Sequence, residues 1–226
     1  VDPVALVLAL LDQATATSAR IFESSRVEAL ERRGSTWRVE TPKGVAHAER
    51  VVLCTNAWSA RVLPSSGPIY PVRAQMLEAR VAPDVPWTLP VYASRGGDYW
   101  RRIAPGRVIV GGMRRVGARE ENVDVEEPTP RVQAALDELL ASITPPGAAV
   151  EITRRWAGLM GFTPDELPVA GPVPGHDGVF VLAGFNGHGL TLAPALAEEL
   201  ATTELEGGEV GSVHFSPTRF TYPATS

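Results

Sequence analysis

The stretch Ala183-Gly184-Phe185-Asn186-Gly187-His188-Gly189-Leu190-Thr191 constrains this chain more than any other. It follows an apolar run, Val179-Phe180-Val181-Leu182-Ala183, that reads as a buried strand, and it precedes an apolar-periodic run over 190–205 that reads as a helix. A strand that breaks into a Gly-rich loop and enters a helix aims backbone N–H groups, and the positive end of the helix dipole, at one point. An electron-rich ligand is the expected occupant. The alternative is a tight turn in which glycine merely supplies positive φ.

The rest of the chain supplies the context. Asp2-Pro3 reads as a helix start, N-cap then N1. Residues 4–13 are apolar on nearly every side, which predicts a helix packed under other structure. Strands are expected over 20–31, 37–41 and 45–53, with hairpin turns at Arg33-Gly34-Ser35 and Pro42-Lys43-Gly44. The last of these opens into Cys54-Thr55-Asn56-Ala57-Trp58-Ser59, the pattern of a central strand whose carboxyl end faces a ligand. Pro64-Ser65-Ser66-Gly67-Pro68 marks a boundary. Beyond it the texture is β, with strands expected over 69–81, 91–94, 98–103, 107–112 and 150–156. The acidic segment 120–127 reads as a solvated loop, and Thr129-Pro130 starts a helix over 131–143. The chain therefore leaves one domain (1–66), builds a β-rich second (67–155) and returns (156–226), an α+β arrangement derived from α/β.

Composition excludes several classes. A net charge of −5 argues against nucleic acid or an anionic membrane as the main partner. One cysteine excludes an internal disulfide framework, and four scattered histidines do not suggest a metal site. Cys54 reads as a small core residue, and His47, His176 and His214 as surface histidines. No apolar run approaches the roughly 20 residues of a membrane span, so the cytoplasm is the expected compartment. The first residue is Val1, leading straight into the helix, which reads as a processed or truncated chain.

Four segments together resemble the flavin-dependent oxidoreductases of the D-amino-acid oxidase, glycine oxidase and sarcosine/dimethylglycine dehydrogenase superfamily. They are the opening Asp-Pro helix with its meander, residues 51–59, Pro71-Val72-Arg73-Ala74-Gln75-Met76, and residues 155–168 running on into the Gly-His-Gly loop. One departure is plain: the G-x-G-x-x-G turn that holds the FAD pyrophosphate in such enzymes is absent, and residues 184–189 run G-x-x-G-x-G, the reverse. The resemblance implies an incomplete FAD-binding domain with an inserted antiparallel substrate domain, the carboxyl-terminal part of such an enzyme. A partner chain or self-association would supply or cover the missing part.

The resemblance also implies roles. Gly184, Phe185, Asn186, Gly187, His188, Gly189, Leu190 and Thr191 would lie against the flavin ring, their amides stabilising charge on the reduced ring. Glycine would be needed there because side chains would hold the ring away. Val27, in the first meander strand, would meet the adenine through its backbone, and Thr55, Asn56 and Trp58 would lie beside the dinucleotide. Tyr99 matches a substrate-pocket tyrosine, and Arg114 follows a strand end that can reach the same pocket. Met160 stands where enzymes of the glycine oxidase kind keep an arginine forked onto the substrate carboxylate. The carboxylate partner would then be Arg114, Arg73 or another residue; otherwise the substrate is an amine without one. The implied reaction moves hydride from an amine-bearing carbon to FAD and yields an imine. The other readings are a related flavoenzyme acting on a hydroxy acid, and a non-catalytic subunit that has lost flavin binding.

Overall fold

The computed structural model describes residues 2–82, 85, 89–205 and 214–220. In chain order the elements of the first stretch are α1 (Pro3–Ala16), β1 (Ala29–Arg33), β2 (Thr36–Thr41), β3 (Gly44–Ala48), β4 (Val51–Leu53) and the short α2 (Ser59–Val62). There follow β5 (Tyr70–Val81), β6 (Val91–Ala93), β7 (Asp98–Ala104), β8 (Arg107–Gly112), α3 (Pro130–Ile143) and β9 (Val150–Phe162). The chain closes with β10 (Val169–Pro172), β11 (Val179–Ala183) and α4 (Gly189–Leu200). Two compact units result, Val1–Ile69 with Thr163–Ser226, and Tyr70–Phe162. Position 155, expected as a boundary, falls inside β9, which runs unbroken to Phe162.

The first unit holds two three-stranded sheets. One is the antiparallel meander β1-β2-β3; the other has the order β10-β11-β4. In the second sheet β11 runs parallel to β4, Val179 opposite Val51 and Val181 opposite Leu53. All five residues of β11 are buried, as its unbroken apolar sequence requires of a central strand. The strand expected over 45–53 is two strands, because β3 pairs with β2 whereas β4 pairs with β11, and the chain bends at Glu49-Arg50 between them. The strand expected over 20–31 begins only at Ala29; Ser18 and Ser24, at φ 70° and 51°, break the extended backbone before it. Asp2 does cap α1, its carboxylate accepting the Val4 amide at 2.9 Å. The helix is nevertheless not packed under other structure: no residue of it is buried, and Val4, Val7, Leu8 and Leu10 are 51–66% exposed.

The second unit is a five-stranded antiparallel sheet, order β6-β7-β8-β5-β9, with α3 on one face. Alternation along β5 turns Leu77, Ala79 and Val81 toward Val108, Val110, Leu136 and Leu140, which form its core. Met76, Ala74 and Val72 face the opposite way. The segment 120–127 is not simply a solvated loop. Glu121 is 1% exposed, and its carboxylate accepts both Nε and a terminal nitrogen of buried Arg73 at 2.9 Å.

Candidate functional site

In the first unit, β4 and β11 are adjacent and parallel, so their carboxyl ends and the loops that follow emerge together. This is where open α/β sheets hold ligands. Asn56 (φ 43°) joins the two loops by accepting the Gly184 amide at 3.0 Å. Asn186 (φ 54°, buried) braces the second loop from inside. It accepts the Thr163 amide at 2.9 Å and donates to the Gly184 carbonyl at 2.6 Å and the Thr163 hydroxyl at 3.2 Å. These two asparagines, expected beside the cofactor, are scaffold for the loop, and the Gly184 amide is already occupied. The amide of His188 is occupied too, by the Phe185 carbonyl at 2.8 Å. The amides of Phe185, Asn186, Gly187, Gly189 and Leu190 have no acceptor among the described residues. Gly187, His188, Leu190 and Thr191 are exposed.

The reason for glycine at the head of the loop differs from the expected one. A Cβ on Gly184, at φ 70°, would lie 2.7 Å from Thr163 Cγ2 and 3.4 Å from Ile69, so the position is closed by the unit's own packing. Gly187 (φ 87°) occupies the left-handed region that glycine tolerates best. His188 is the N-cap of α4 but makes no side-chain cap bond. Thr55 bonds the Ser59 hydroxyl at 3.0 Å, and Trp58 is 38% exposed. Val27 lies just before β1 rather than within a strand, half-buried. Cys54 is exposed and not a core residue; desolvation by its surroundings still raises its pKa, which keeps the thiol protonated.

Elsewhere in this unit a shallow cleft of about 560 Å³ lies among Leu30, Arg32, Trp37, Gly175, His176 and Asp177. It sits by the turn that precedes β11, at the strand end opposite the glycine loop. His176, expected at the surface, is half-buried and stacks on Trp37 with 5.9 Å between ring centroids. Asp165 accepts the Leu167 amide at 3.2 Å and a two-pronged contact from Arg219 at 2.7 and 3.1 Å. The Arg219 hydrogen bonds hold its pKa below the ordinary value.

In the second unit, residues directly opposite in antiparallel pairs share a face. Tyr92, Tyr99, Gly111, Met76 and Trp156 form one row across the sheet. Met160 opposite Val72 and Phe162 opposite Tyr70 continue the same face. It is the face away from α3, so Tyr99 and Met160 fall on one surface. Gly111 lets that surface close: a Cβ there would collide with the Met76 sulfur and the Tyr99 ring. Burial, and secondarily Tyr92, raise the Tyr99 pKa while Arg114 lowers it, so the phenol stays protonated and able to donate.

Arg114 leaves β8 through Met113, at φ 54°, and its guanidinium carbon stands 4.6 Å from the Phe162 ring centroid. No carboxylate pairs with it among the described residues. Arg73, the other candidate for an anionic partner, is excluded: it is 6% exposed and bound by Glu121. Sequence reasoning missed this pair. The available signal was Arg73 and Gln75 alternating with Leu77 and Ala79 on one strand face, polar residues at core positions that demand a buried partner.

Among the described residues there is no His/Cys/Asp/Glu group that could hold a metal ion, and no helix long and apolar enough to cross a membrane. Comparison with known proteins bears on the rest. Glycine oxidase of Pseudomonas putida is 31% identical over 183 residues, covering 80% of this chain and 48% of that protein. The crystal structure of glycine oxidase from Geobacillus kaustophilus superposes with a TM-score of 0.80 at 26% identity, over 96% of this chain and 58% of that one. L-Proline dehydrogenase from P. horikoshii gives the same TM-score at 24% identity, over 97% and 60%. The chain thus spans about half the length of the curated relatives it matches. Residues 1–203 match the family described as DAO, FAD dependent oxidoreductase, and the chain belongs to that family.

Proposed function

We propose that this chain carries the ring-binding loop and the substrate sheet of an FAD-dependent amine or amino-acid oxidoreductase. The observation that carries the reading is the set of acceptor-free amides of Phe185, Asn186, Gly187, Gly189 and Leu190, in a loop exposed at Gly187 and Leu190 and set at the paired carboxyl ends of β4 and β11. Those amides and the N-terminus of α4 suit an electron-rich ring edge, and the small, exposed loop leaves room for it. FAD, when bound, supplies the acceptor for two electrons. On the chain's own side, Tyr99 donates a hydrogen bond to the substrate, Arg114 pairs with its carboxylate, and Met160 gives apolar contact where a second charge is absent. The substrate amine is held uncharged, loses a C–H and an N–H bond to become an imine, and water then releases the carbonyl product and ammonia or amine.

The glycine oxidase name of two relatives makes glycine and sarcosine the first substrates to try, with D-amino acids and polyamine derivatives beside them. Mixed anaerobically with the FAD-loaded enzyme, at least one should bleach the flavin absorbance. Bleaching by none of them, or only by a hydroxy acid such as lactate, overturns the amine class. A colourless preparation that releases no FAD on heating supports the non-catalytic subunit instead. The bare apolar surface of α1 supports further polypeptide or a second copy covering this unit.

A further inference from the structure

We propose that the buried Arg73–Glu121 pair is a positioning device that holds Arg114 on the open face of the sheet, and so controls recognition of the substrate carboxylate. This rests on the amino-acid reading above. The segment 113–121 is tied down at both ends. At its start the Met113 amide donates to the Asp98 carboxylate at 3.1 Å and the Gly97 carbonyl at 3.0 Å, and Arg115 pairs with Asp98. At its end Arg73 grips Glu121 through two nitrogens at 2.9 Å, reaches the Glu120 carbonyl at 3.1 Å, and donates its own backbone amide to the Glu121 carbonyl at 2.7 Å. The amides of Glu120 and Glu121 return to the Gly117 carbonyl at 2.8 and 3.0 Å, closing the turn between.

Gln75 completes the clamp. Its amide nitrogen donates to both Glu121 oxygens at 3.0 Å and to the Thr129 hydroxyl at 2.8 Å, while its oxygen accepts from the Thr129 amide at 2.9 Å and from Gln133 at 3.1 Å. Every one of these groups is committed to another within the clamp. Arg114, lying between the tied ends, is the guanidinium left over the Phe162 ring. A buried ion pair adds little stability over apolar residues of equal volume, whereas it fixes geometry by direction. Here the geometry it fixes is that of a segment with two cations unpaired among the described residues, of which Arg119 is exposed and Arg114 is half-buried against the Phe162 ring.

The test uses the FAD-loaded enzyme with Arg73→Met and Glu121→Leu combined, which removes both charges together and leaves neither buried alone. Glu121→Asp, which keeps the charge and draws it back by one methylene, serves if the double variant does not fold. Two quantities are read: the KM of a D-amino acid beside that of the corresponding amine lacking the carboxylate, and the Kd of propionate from its perturbation of the flavin spectrum. The amino-acid KM and the propionate Kd should rise about tenfold. The kcat values and the amine KM should hold, and in an Arg114→Met background the clamp variant should add nothing. Equal losses on both substrates, or a loss that persists without Arg114, overturn the clamp. If Arg114→Met alone leaves the amino-acid KM and propionate Kd unchanged, the carboxylate role fails at its source and takes the clamp's function with it.

Discussion

Asn186 sits at φ 54° with its amide buried, so each end of that side chain substitutes for water that cannot reach Thr163 and Gly184. Asn186→Ala leaves those groups unpaired and should cost about 1–3 kcal/mol of unfolding free energy, read as a lower urea midpoint. Gly184→Ala meets two obstacles, a left-handed backbone and the Thr163 methyl at 2.7 Å. Combining it with Thr163→Ser, which deletes that methyl, should recover part of the loss; strict additivity of the two changes would contradict the packing explanation. The sequence made these positions conspicuous, but as ligand contacts. Glycine and asparagine advertise left-handed backbone equally well whether the space beside them belongs to a ligand or to a neighbouring threonine, and only the partner at 163, two dozen residues back, decides.

Among elements, the sheet of the second unit carries charges whose partners set its acid response. Burial works to raise the Asp98 pKa, yet hydrogen bonds from Arg115, Ser94 and the Met113 amide outweigh it and hold the carboxyl below its ordinary value. A carboxylate depressed in the folded state contributes stability that is present above the unfolded pKa of about 4 and is lost as pH falls through the folded value. Asp98→Asn should therefore flatten the fall of the urea midpoint below about pH 4 relative to the parent protein. Glu121→Ala, which strands the Arg73 charge in the interior, should cost about 3–5 kcal/mol, measured the same way at neutral pH. Element by element, β7, β8, β11 and α3 were legible because Gly and Pro punctuate them and their periods are clean. The break between β3 and β4 was not, since nothing in residues 45–53 tells which of two distant strands each half will pair with. The acidic run hid Glu121 for a similar reason: one buried charge among solvated ones has the same composition as a wholly solvated loop.

At the scale of the molecule, α1 presents Val4, Val7, Leu8 and Leu10 to solvent, and β4 is an outer strand of its sheet with Val52 37% exposed. Such surfaces associate. Light scattering on the isolated chain should show mass rising with concentration, and Val7→Lys with Leu8→Lys should reduce it; a monodisperse monomer at every concentration would refute this. The family was legible from four dispersed segments. The packing of α1 was not, because an apolar helix announces that it needs a covering surface without saying where that surface is. The loops after β4 and β11 lie 128 residues apart in sequence yet are fastened by the Asn56 side chain to the Gly184 amide. Whatever stills either loop must still both, so amide exchange slowed at Thr55–Trp58 and at 184–188 should appear as a single joint event, even for a molecule that touches only one of them.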